Sequence, residues 1–252
     1  MPPLATHNLK KHFDGVKAVD GLSLEFEAGK ITGIVGPNGS GKSTLVNLLT
    51  GMTPIDGGVV VLAGKFKLTK IRAEEMPTYG ITRTFQDVRL FEQLPVLDNV
   101  LVVLTDRAVF AAMFERHNKL HLAQAEAVLT KVNLWEKRRE LAHNLSYGQR
   151  KLLEIARMLA MVDGSGSAPT ANIIFFDEPF AGLFPEMIRV VVAVLRELRS
   201  QGKTVVLIEH NMELIRELSD VVYVLDAGQL LACGGPNEVL AKAEVVEAYL
   251  GE

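Results

Sequence analysis

One short segment limits the fold of this chain more than any other, and it is the glycine-rich run from residue 36 to residue 44. It comprises Gly36, Pro37, Asn38, Gly39, Ser40, Gly41, Lys42, Ser43 and Thr44, and it fits the pattern G-x-x-x-x-G-K-[ST]. The apolar segment before it predicts a short strand, and the segment from Ser43 to Leu49 predicts a helix. A strand, this loop and a helix in that order predict a phosphate-binding loop.

Each residue type in this loop is expected to contribute to phosphate binding. Glycines let backbone N–H groups turn inward to form an anion-binding nest, and the start of the following helix adds partial positive charge. Lys42 is predicted to reach the β- and γ-phosphates of a nucleotide, and the Ser43 hydroxyl to take a position on Mg²⁺. All nine residues are therefore candidates for nucleotide binding, and Lys42 is also a candidate catalytic residue.

A second segment supplies acidic groups at the end of a strand. The apolar run from Ile173 to Phe176 ends in Asp177 and Glu178. Asp177 is predicted to hold Mg²⁺ directly or through water, and Glu178 to orient or deprotonate the attacking water. A solvated acidic turn is the alternative. With the loop upstream, the two segments predict a P-loop NTPase with an α/β core.

Two further segments indicate which class of NTPase this chain belongs to. The guanine-recognition pattern N-K-x-D is not met, because the Asn118-Lys119 pair continues as Leu-His, which disfavours a GTPase. The run Leu-Ser-Tyr-Gly-Gln at residues 145–149 opens a helical segment, and its serine and glycine predict a second anion-binding helix start. A plain helix cap is the alternative role for Ser146. In this context the run resembles the L-S-G-G-Q signature of ABC ATPases, with Tyr147 in place of the first glycine.

The resemblance to ABC ATPases covers essentially the whole chain, with the motifs in the family's order. It implies that Gln86 contacts Mg²⁺ and the γ-phosphate side, as a catalytic, nucleotide and metal residue, and faces the membrane partner. It implies that His210 contacts the γ-phosphate, with capping of a strand end as the alternative. It also implies that Phe13 stacks on adenine through its π-face, with core packing as the alternative.

The same resemblance implies the architecture. The expected fold is α/β, a RecA-like P-loop NTPase core with an antiparallel β subdomain and an inserted α-helical subdomain. Residues 1–252 form one domain, in which 1–87 and 172–252 are the nucleotide-binding core and 88–171 the helical subdomain. The pattern of the chain agrees, because strand patterns give way to helical ones from about residue 88 to residue 161 and apolar strands follow.

The resemblance also implies cofactors and partners. Two ATPase domains of this family pack head to tail, so that Ser146, Gly148 and Gln149 bind the nucleotide held by a second domain, in an identical or a related chain. ATP and Mg²⁺ are the implied cofactors. Transmembrane permease subunits are the implied partners, with a solute-binding protein acting indirectly, and no nucleic acid. The implied location is cytoplasmic, peripheral on the inner face of the plasma membrane.

Some stretches resemble a narrower group, the ATPase subunits of branched-chain amino-acid importers. These are the signature run with the Leu-Glu-Ile-Ala-Arg that follows it, the Ile-Glu-His-Asn-Met at 208–212, and the Glu-Ala-Tyr-Leu-Gly at 247–251. Urea-importer and lipopolysaccharide-export ATPases are the close alternatives. An ABC-type ATPase acting on DNA or ribosomes and a nucleotide-sensing regulator are alternatives from other classes, disfavoured by the short helical insertion and by the intact Asp177-Glu178 pair.

Composition sets outer limits. The formal net charge of −3 argues against a nucleic-acid footprint along the whole chain, and a single cysteine excludes an intrachain disulfide. The start of the chain lacks the pattern of a secretory signal, and no apolar run reaches the ~18 residues that cross a bilayer. We therefore expect any work at a membrane to go through partners.

Two departures from the family pattern are present. Phe184 stands where the family usually has Asp or Asn, in a loop that passes between paired subunits, and an apolar ring cannot make the same hydrogen bonds. Packing of Phe184 into the partner is the alternative outcome. The second departure is the segment from Asp163 to Ala171, which is longer than usual and which we interpret as a surface insertion.

Overall fold

The computed structural model describes residues 1–85, 88–104, 119–162 and 171–250. The strands are β1 (Leu4–Phe13), β2 (Val16–Leu22), β3 (Glu25–Phe26), β4 (Ile31–Val35), β5 (Gly57–Leu62), β6 (Phe66–Leu68), β7 (Ile81–Arg83), β8 (Ile173–Asp177), β9 (Thr204–Ile208), β10 (Val221–Asp226) and β11 (Gln229–Gly234). The helices are α1 (Lys42–Leu49), α2 (Val96–Leu104), α3 (Lys119–Lys131), α4 (Tyr147–Val162), α5 (Pro185–Ser200), α6 (Met212–Leu218), α7 (Pro236–Val239) and α8 (Ala243–Leu250). Short 3₁₀ turns lie at Ala73–Tyr79, Trp135–Lys137 and Ala142–Asn144.

These strands form two sheets. The larger has the order β11-β10-β4-β9-β8-β7, and it is parallel except for the antiparallel edge strand β11. The smaller is antiparallel, with the order β2-β1-β5-β6 and β3 paired to β1. The predicted α/β class with an antiparallel subdomain and a helical insertion is confirmed.

The parallel sheet separates two hydrophobic cores. Along β8, Ile174 and Phe176 pack into one core with α2, α3, α4 and α5. Ile173 and Phe175 point to the other face and pack with α1 and the antiparallel sheet. Successive side chains of a strand point to opposite faces, so a strand covered on both faces must be apolar throughout. All five residues of β8 are buried.

Local details differ from the sequence-based expectation in two places. The alternating segment from Leu22 to Phe26 predicts one strand, but the ladder breaks at residues 23 and 24, where Leu24 N donates to the Thr6 hydroxyl at 2.9 Å. Helical spacing predicts one buried face made of Leu120, Leu122, Ala125, Val128, Leu129 and Val132. The last four are buried, but the prediction is wrong for Leu120 and Leu122. Leu120 is 46% exposed, whereas His121 is buried.

The order of β4, α1, β8 and β9 positions the candidate site. In parallel sheets ligands bind beyond the carboxyl ends of the strands, and β4, β8 and β9 are adjacent and parallel. The loops that leave these three strands therefore meet at one edge. No helix in the described ranges is long and apolar enough to cross a membrane.

Candidate nucleotide-binding site

The phosphate-binding loop leaves β4 and enters α1, and two of its glycines are required by the backbone. Gly36 has a φ of 151° and Gly41 a φ of 99°, values that disfavour residues with a side chain. A Cβ on Gly36 would lie 2.1 Å from the Leu225 carbonyl oxygen, and one on Gly41 would lie 2.3 Å from that of Ala18. Close packing against the neighbouring backbone therefore fixes the shape of the loop.

Lys42, the first residue of α1, is folded back over this loop. Its side chain is buried, and Nζ donates to the carbonyl oxygens of Gly36 at 2.7 Å and Pro37 at 2.8 Å. An ammonium can only donate hydrogen bonds, so the carbonyls hold its charge at the centre of the loop. The positive charge that the sequence predicts is present where phosphate oxygens would enter.

A cavity of about 400 Å³ opens beside the loop, a size typical of small-ligand sites. It brings together five parts of the chain: the start of β2, the phosphate-binding loop with the start of α1, the segments after β8 and after β9, and the turn between β10 and β11. Its lining residues are Val16, Lys17, Ala18, Asn38, Gly39, Ser40, Gly41, Lys42, Ser43, Thr44, Glu178, His210 and Ala227. Glu178 and His210, predicted from distant segments, thus share one cavity with the loop.

Glu178 and His210 are in direct contact. His210 Nε2 lies 2.9 Å from Glu178 Oε1, and both side chains reach solvent in the cavity. Glu178 has a φ of 48°, a left-handed conformation that is uncommon for a residue with a side chain. Its backbone N–H donates to the Ile208 carbonyl at 3.0 Å. A carboxylate paired with an imidazole can accept a proton from water and share it.

Asp177 is buried at the end of β8 beside a basic residue that the sequence analysis missed. Arg83 Nη2 donates to Asp177 Oδ2 at 3.0 Å, and Arg83 Nη1 also donates to Asn47 Oδ1 of α1 and to Oγ1 of Thr50, the C-cap residue of that helix. Burial raises the pKa of the Asp177 carboxyl, and the Arg83 guanidinium partly offsets this. Arg83 therefore ties the acidic strand to the helix of the phosphate-binding loop.

Two more buried charged residues, Glu209 and Lys151, were also missed. The Glu209 carboxylate accepts hydrogen bonds from the backbone N–H of Phe180 and of His210, both at 3.1 Å, and burial raises the pKa of Glu209. Lys151 Nζ donates to the Glu178 carbonyl at 2.6 Å. The sequence does carry a signal for Lys151, because it stands in helical register with Gly148 and Ile155 on the inward face of α4.

The signature residues lie at the start of α4. Ser146 N donates to Gln149 Oε1 at 3.1 Å, and Gln149 N donates to Ser146 Oγ at 3.3 Å. This reciprocal pair is a capping box, so Ser146 does cap the helix. Gly148 is buried, and a Cβ there would lie 2.5 Å from Met187 Sδ. None of Ser146, Gly148 and Gln149 is among the residues that line the 400 Å³ cavity.

The two remaining predicted residues have different outcomes. Phe13 is 46% exposed, so the alternative of core packing is wrong. It pairs across the β1–β2 turn with Val16, which lines the cavity, and Lys11 Nζ lies 5.1 Å from the ring centroid. Gln86 lies outside the described residues, as does most of the predicted insertion after α4.

The oxygen donors near the cavity suit a magnesium ion. Mg²⁺ prefers carboxylate and hydroxyl oxygens and retains several waters. Ser43 lines the cavity, and Asp177 stands one residue before Glu178 with its Oδ2 engaged by Arg83. The chemistry of this donor set fits Mg²⁺ bound together with phosphate.

Known sequences match the chain along its whole length. The ABC transporter family matches residues 19–181. The chain is 35% identical over 260 residues to the high-affinity branched-chain amino acid transport ATP-binding protein LivG of Salmonella typhimurium, covering 100% of this chain and 98% of that protein. It is also 35% identical to the corresponding protein BraF of Pseudomonas aeruginosa, with the same coverage.

Solved structures agree with the sequence matches. A nucleotide-free ATP-binding cassette from an ABC transporter superposes with a TM-score of 0.84 at 32% identity, covering 100% of both chains. The ADP conformation of an ATP-binding cassette of an ABC transporter gives the same TM-score at 33% identity, again over 100% of both chains. The chain therefore belongs to the ABC transporter family and is one of its ATPases.

Proposed function

We propose that this chain is the ATP-hydrolysing subunit of a transporter that imports branched-chain or other amino acids. The observation that carries the proposal is the shared cavity, in which the phosphate-binding loop faces the Glu178–His210 pair. The choice of solute rests on LivG and BraF, which are named for branched-chain amino acid transport and are similar to this chain from end to end.

Each side chain of the cavity has a role in this proposal. Lys42 and the loop amides bind the β- and γ-phosphates, and Phe13 stacks on adenine. Glu178 orients the attacking water and accepts its proton, while His210 contacts the γ-phosphate and shares the carboxylate's hydrogen bond. Ser43, Asp177 and Gln86 would hold Mg²⁺, which neutralises charge on the phosphates when bound.

The exposed start of α4 completes a second cavity in this proposal. Ser146, Gly148 and Gln149 bind the nucleotide held by another ATPase domain, in an identical or a related chain. Hydrolysis then releases the pair. The chain is one ATPase domain in this proposal, with 1–87 and 172–252 as the nucleotide-binding core and 88–171 as the helical subdomain. Permease subunits convert the cycle of ATP binding and hydrolysis into transport, a solute-binding protein delivers the solute to them, and the chain sits on the cytoplasmic face of the plasma membrane.

Hydrolysis is tested by phosphate release and nucleotide binding on purified protein. Glu178→Gln should keep ATP binding, accumulate an ATP-bound dimer, and lower turnover by about 10²-fold or more, since a general base contributes 10²–10⁴-fold. A Glu178→Gln protein with wild-type turnover would refute the assigned role of Glu178. Because an isolated subunit can be slow, both proteins should be compared in the assembled complex as well.

Transport is tested after the chain and its co-purifying membrane proteins are reconstituted into liposomes. ATP-dependent uptake of labelled leucine, absent with the Lys42→Ala protein, is the expected result. Uptake of urea, or extraction of lipopolysaccharide, would assign the chain to one of the related transporter types. Recovery of ribosomal or DNA-repair proteins in place of permeases would contradict the proposal.

A further inference from the structure

Lys151 occupies an unusual place for a lysine. It lies one turn into α4, it is only 3% exposed, and its Nζ donates to the Glu178 carbonyl at 2.6 Å. Buried lysines are rare unless they are paired. Its ammonium group also lies 5.7 Å from the centroid of the Tyr147 ring. A contact between the signature helix and the backbone of the candidate catalytic residue therefore exists within one chain.

Four carboxylates from three parts of the chain act on the charge of this ammonium. Glu154 is one turn further along α4, Asp177 ends β8 and Glu178 follows it, and Glu209 follows β9. Burial lowers the pKa of Lys151, and these four carboxylates offset the shift, with Glu209 contributing most. A neutral side chain here would remove one of the cations beside these carboxylates and leave Arg83, which is paired with Asp177, so the charge of Lys151 suits its surroundings.

The backbone of Glu178 is fixed from two sides. Its N–H donates to the Ile208 carbonyl, at the end of β9, and its carbonyl accepts from Lys151. Between these two bonds the residue adopts the left-handed φ of 48°, a conformation that persists only where the surrounding structure holds it. This conformation directs the side chain into the cavity, where Oε1 meets His210.

We propose that Lys151 is a positioning residue for ATP hydrolysis, which holds the Glu178 backbone so that the Glu178 carboxylate faces the attacking water. This inference rests on the proposed role of Glu178 as the residue that orients the water. Lys151 also links the start of α4, where the nucleotide of a second domain is proposed to bind, to Glu178 of the same chain. This link uses the hydrogen bond from Lys151 to Glu178, so it does not depend on the hydrogen bonds that Asp or Asn would make at the position of Phe184.

The test is the ATPase kinetics of Lys151→Met, which keeps the length of the side chain and removes its hydrogen-bond donor and its positive charge. We expect kcat to fall about 10- to 100-fold with KM for ATP within about twofold of wild type, because misplacement of a reacting group by 1 Å can cost about 10²-fold. Lys151→Arg, which keeps charge and donors, should recover most of kcat. Lys131→Met, which removes a part-exposed ion pair between the end of α3 and Glu197 of α5, should leave both constants unchanged.

A double variant shows whether Lys151 acts through Glu178. In a Glu178→Gln background, Lys151→Met should not lower the residual rate further, since residues that act as one unit are not additive. Any one of three results would overturn the proposal. The folded Lys151→Met protein has wild-type kcat, or the change is confined to KM, or Lys151→Met lowers the rate by the same factor with and without Glu178→Gln. If Lys151→Met does not fold, Lys151→Gln and Lys151→Arg decide, and equal kcat values for these two would overturn the proposal. Wild-type turnover in Glu178→Gln alone would instead refute the role of Glu178.

Discussion

Two helices of the chain have starts with serine, glycine and amide groups that we predict to bind anions, and these two starts have different surroundings. The start of α1 is enclosed, because Lys42 is buried and the loop before it lines a cavity of about 400 Å³. The start of α4 is open, because Ser146 is exposed and its hydrogen bonds to the described residues stay within its own helix, in the capping box. One start lies within a cavity, and the other lies at the surface.

This difference shows that groups able to bind an anion at a helix start do not by themselves form a nucleotide-binding site. The α1 start has opposing groups, Glu178 and His210, on the other wall of its cavity. Among the described residues, Ser146, Gly148 and Gln149 at the start of α4 do not line this cavity, so they have no such wall opposite them there. A second protein surface would supply that wall, and the proposed pairing of ATPase domains provides it.

The largest effect is expected at the enclosed helix start. Lys42→Ala should lower turnover by about 10²–10³-fold, the usual cost of removing one group that stabilises developing charge, and should weaken ATP binding by the isolated chain. Phosphate release and titration with a fluorescent nucleotide measure both. Lys65→Ala, an exposed lysine of a distant turn, is the control. Unchanged nucleotide affinity in Lys42→Ala would remove the distinction between the two helix starts.

A pH effect on stability should come from α4. Glu154 is buried on α4 and accepts a hydrogen bond from Phe85 N–H. Burial raises the pKa of Glu154 to about 7, against the opposing effects of the Phe85 hydrogen bond and the Arg157, Lys151 and Arg89 charges. The folded protein then binds this proton more tightly than the unfolded chain does. The free energy of unfolding should therefore decrease as pH rises from about 4.5 to about 7.

Glu154→Gln removes this titration while keeping an oxygen that can accept from Phe85. Relative to the variant, the wild-type protein should lose about 2–3 kcal/mol of stability between pH 5 and pH 8, at 1.36 kcal/mol per pKa unit. Denaturant unfolding of both proteins at several pH values measures the difference. Parallel stability curves for the two proteins would show that Glu154 is ionised in the folded state throughout.

The open helix start should show a different pattern from Lys42. Ser146→Ala should leave ATP binding by the isolated chain unchanged, while turnover falls about tenfold, equivalent to 1.4 kcal/mol. Loss of the cap should also cost about 1 kcal/mol of stability. Ser146→Thr keeps the hydroxyl and serves as the control. A drop in the isolated chain's affinity for ATP as large as that of Lys42→Ala would mean that Ser146 belongs to the chain's own site.

The smallest effect concerns a third helix start, that of α5. Phe184 occupies its N-cap position, is 65% exposed, and makes no capping hydrogen bond with its side chain. Phe184→Asp, which restores a residue usual in the family, should stabilise the fold by about 1 kcal/mol. Phe184→Ala removes the ring without supplying a cap and should change stability far less. Equal unfolding midpoints for the two variants would argue against this view of Phe184.

Much of the site could be predicted because its motifs are local. The phosphate-binding loop, its strand and its helix are contiguous, and the strand before Asp177 is marked by its own apolar run. Arg83 escaped prediction because its partner Asp177 is 94 residues away, and nothing near Arg83 in sequence shows that a carboxylate faces it. The same holds for Lys151 and Glu178, 27 residues apart.

The antiparallel sheet was predicted only in outline. Its strands β1 and β2 are irregular, with register shifts near Leu9 and Lys11, and such shifts blur an alternating pattern. In α3 the apolar residues suggested a face that includes Leu120, but the structure buries His121 instead. A histidine on a buried face cannot be distinguished by periodicity from a polar residue at the edge of that face.

The most direct test of the central claim is a cysteine cross-link between the two helix starts. Asn38→Cys and Ser146→Cys, in a Glu178→Gln chain whose exposed Cys233 is replaced by serine, place one thiol at each exposed position. With ATP, the account predicts an ATP-dependent disulfide between chains, seen as a double-mass species on a non-reducing gel. An ATP-loaded chain that stays monomeric in light scattering, or a dimer whose two thiols never join, would contradict it.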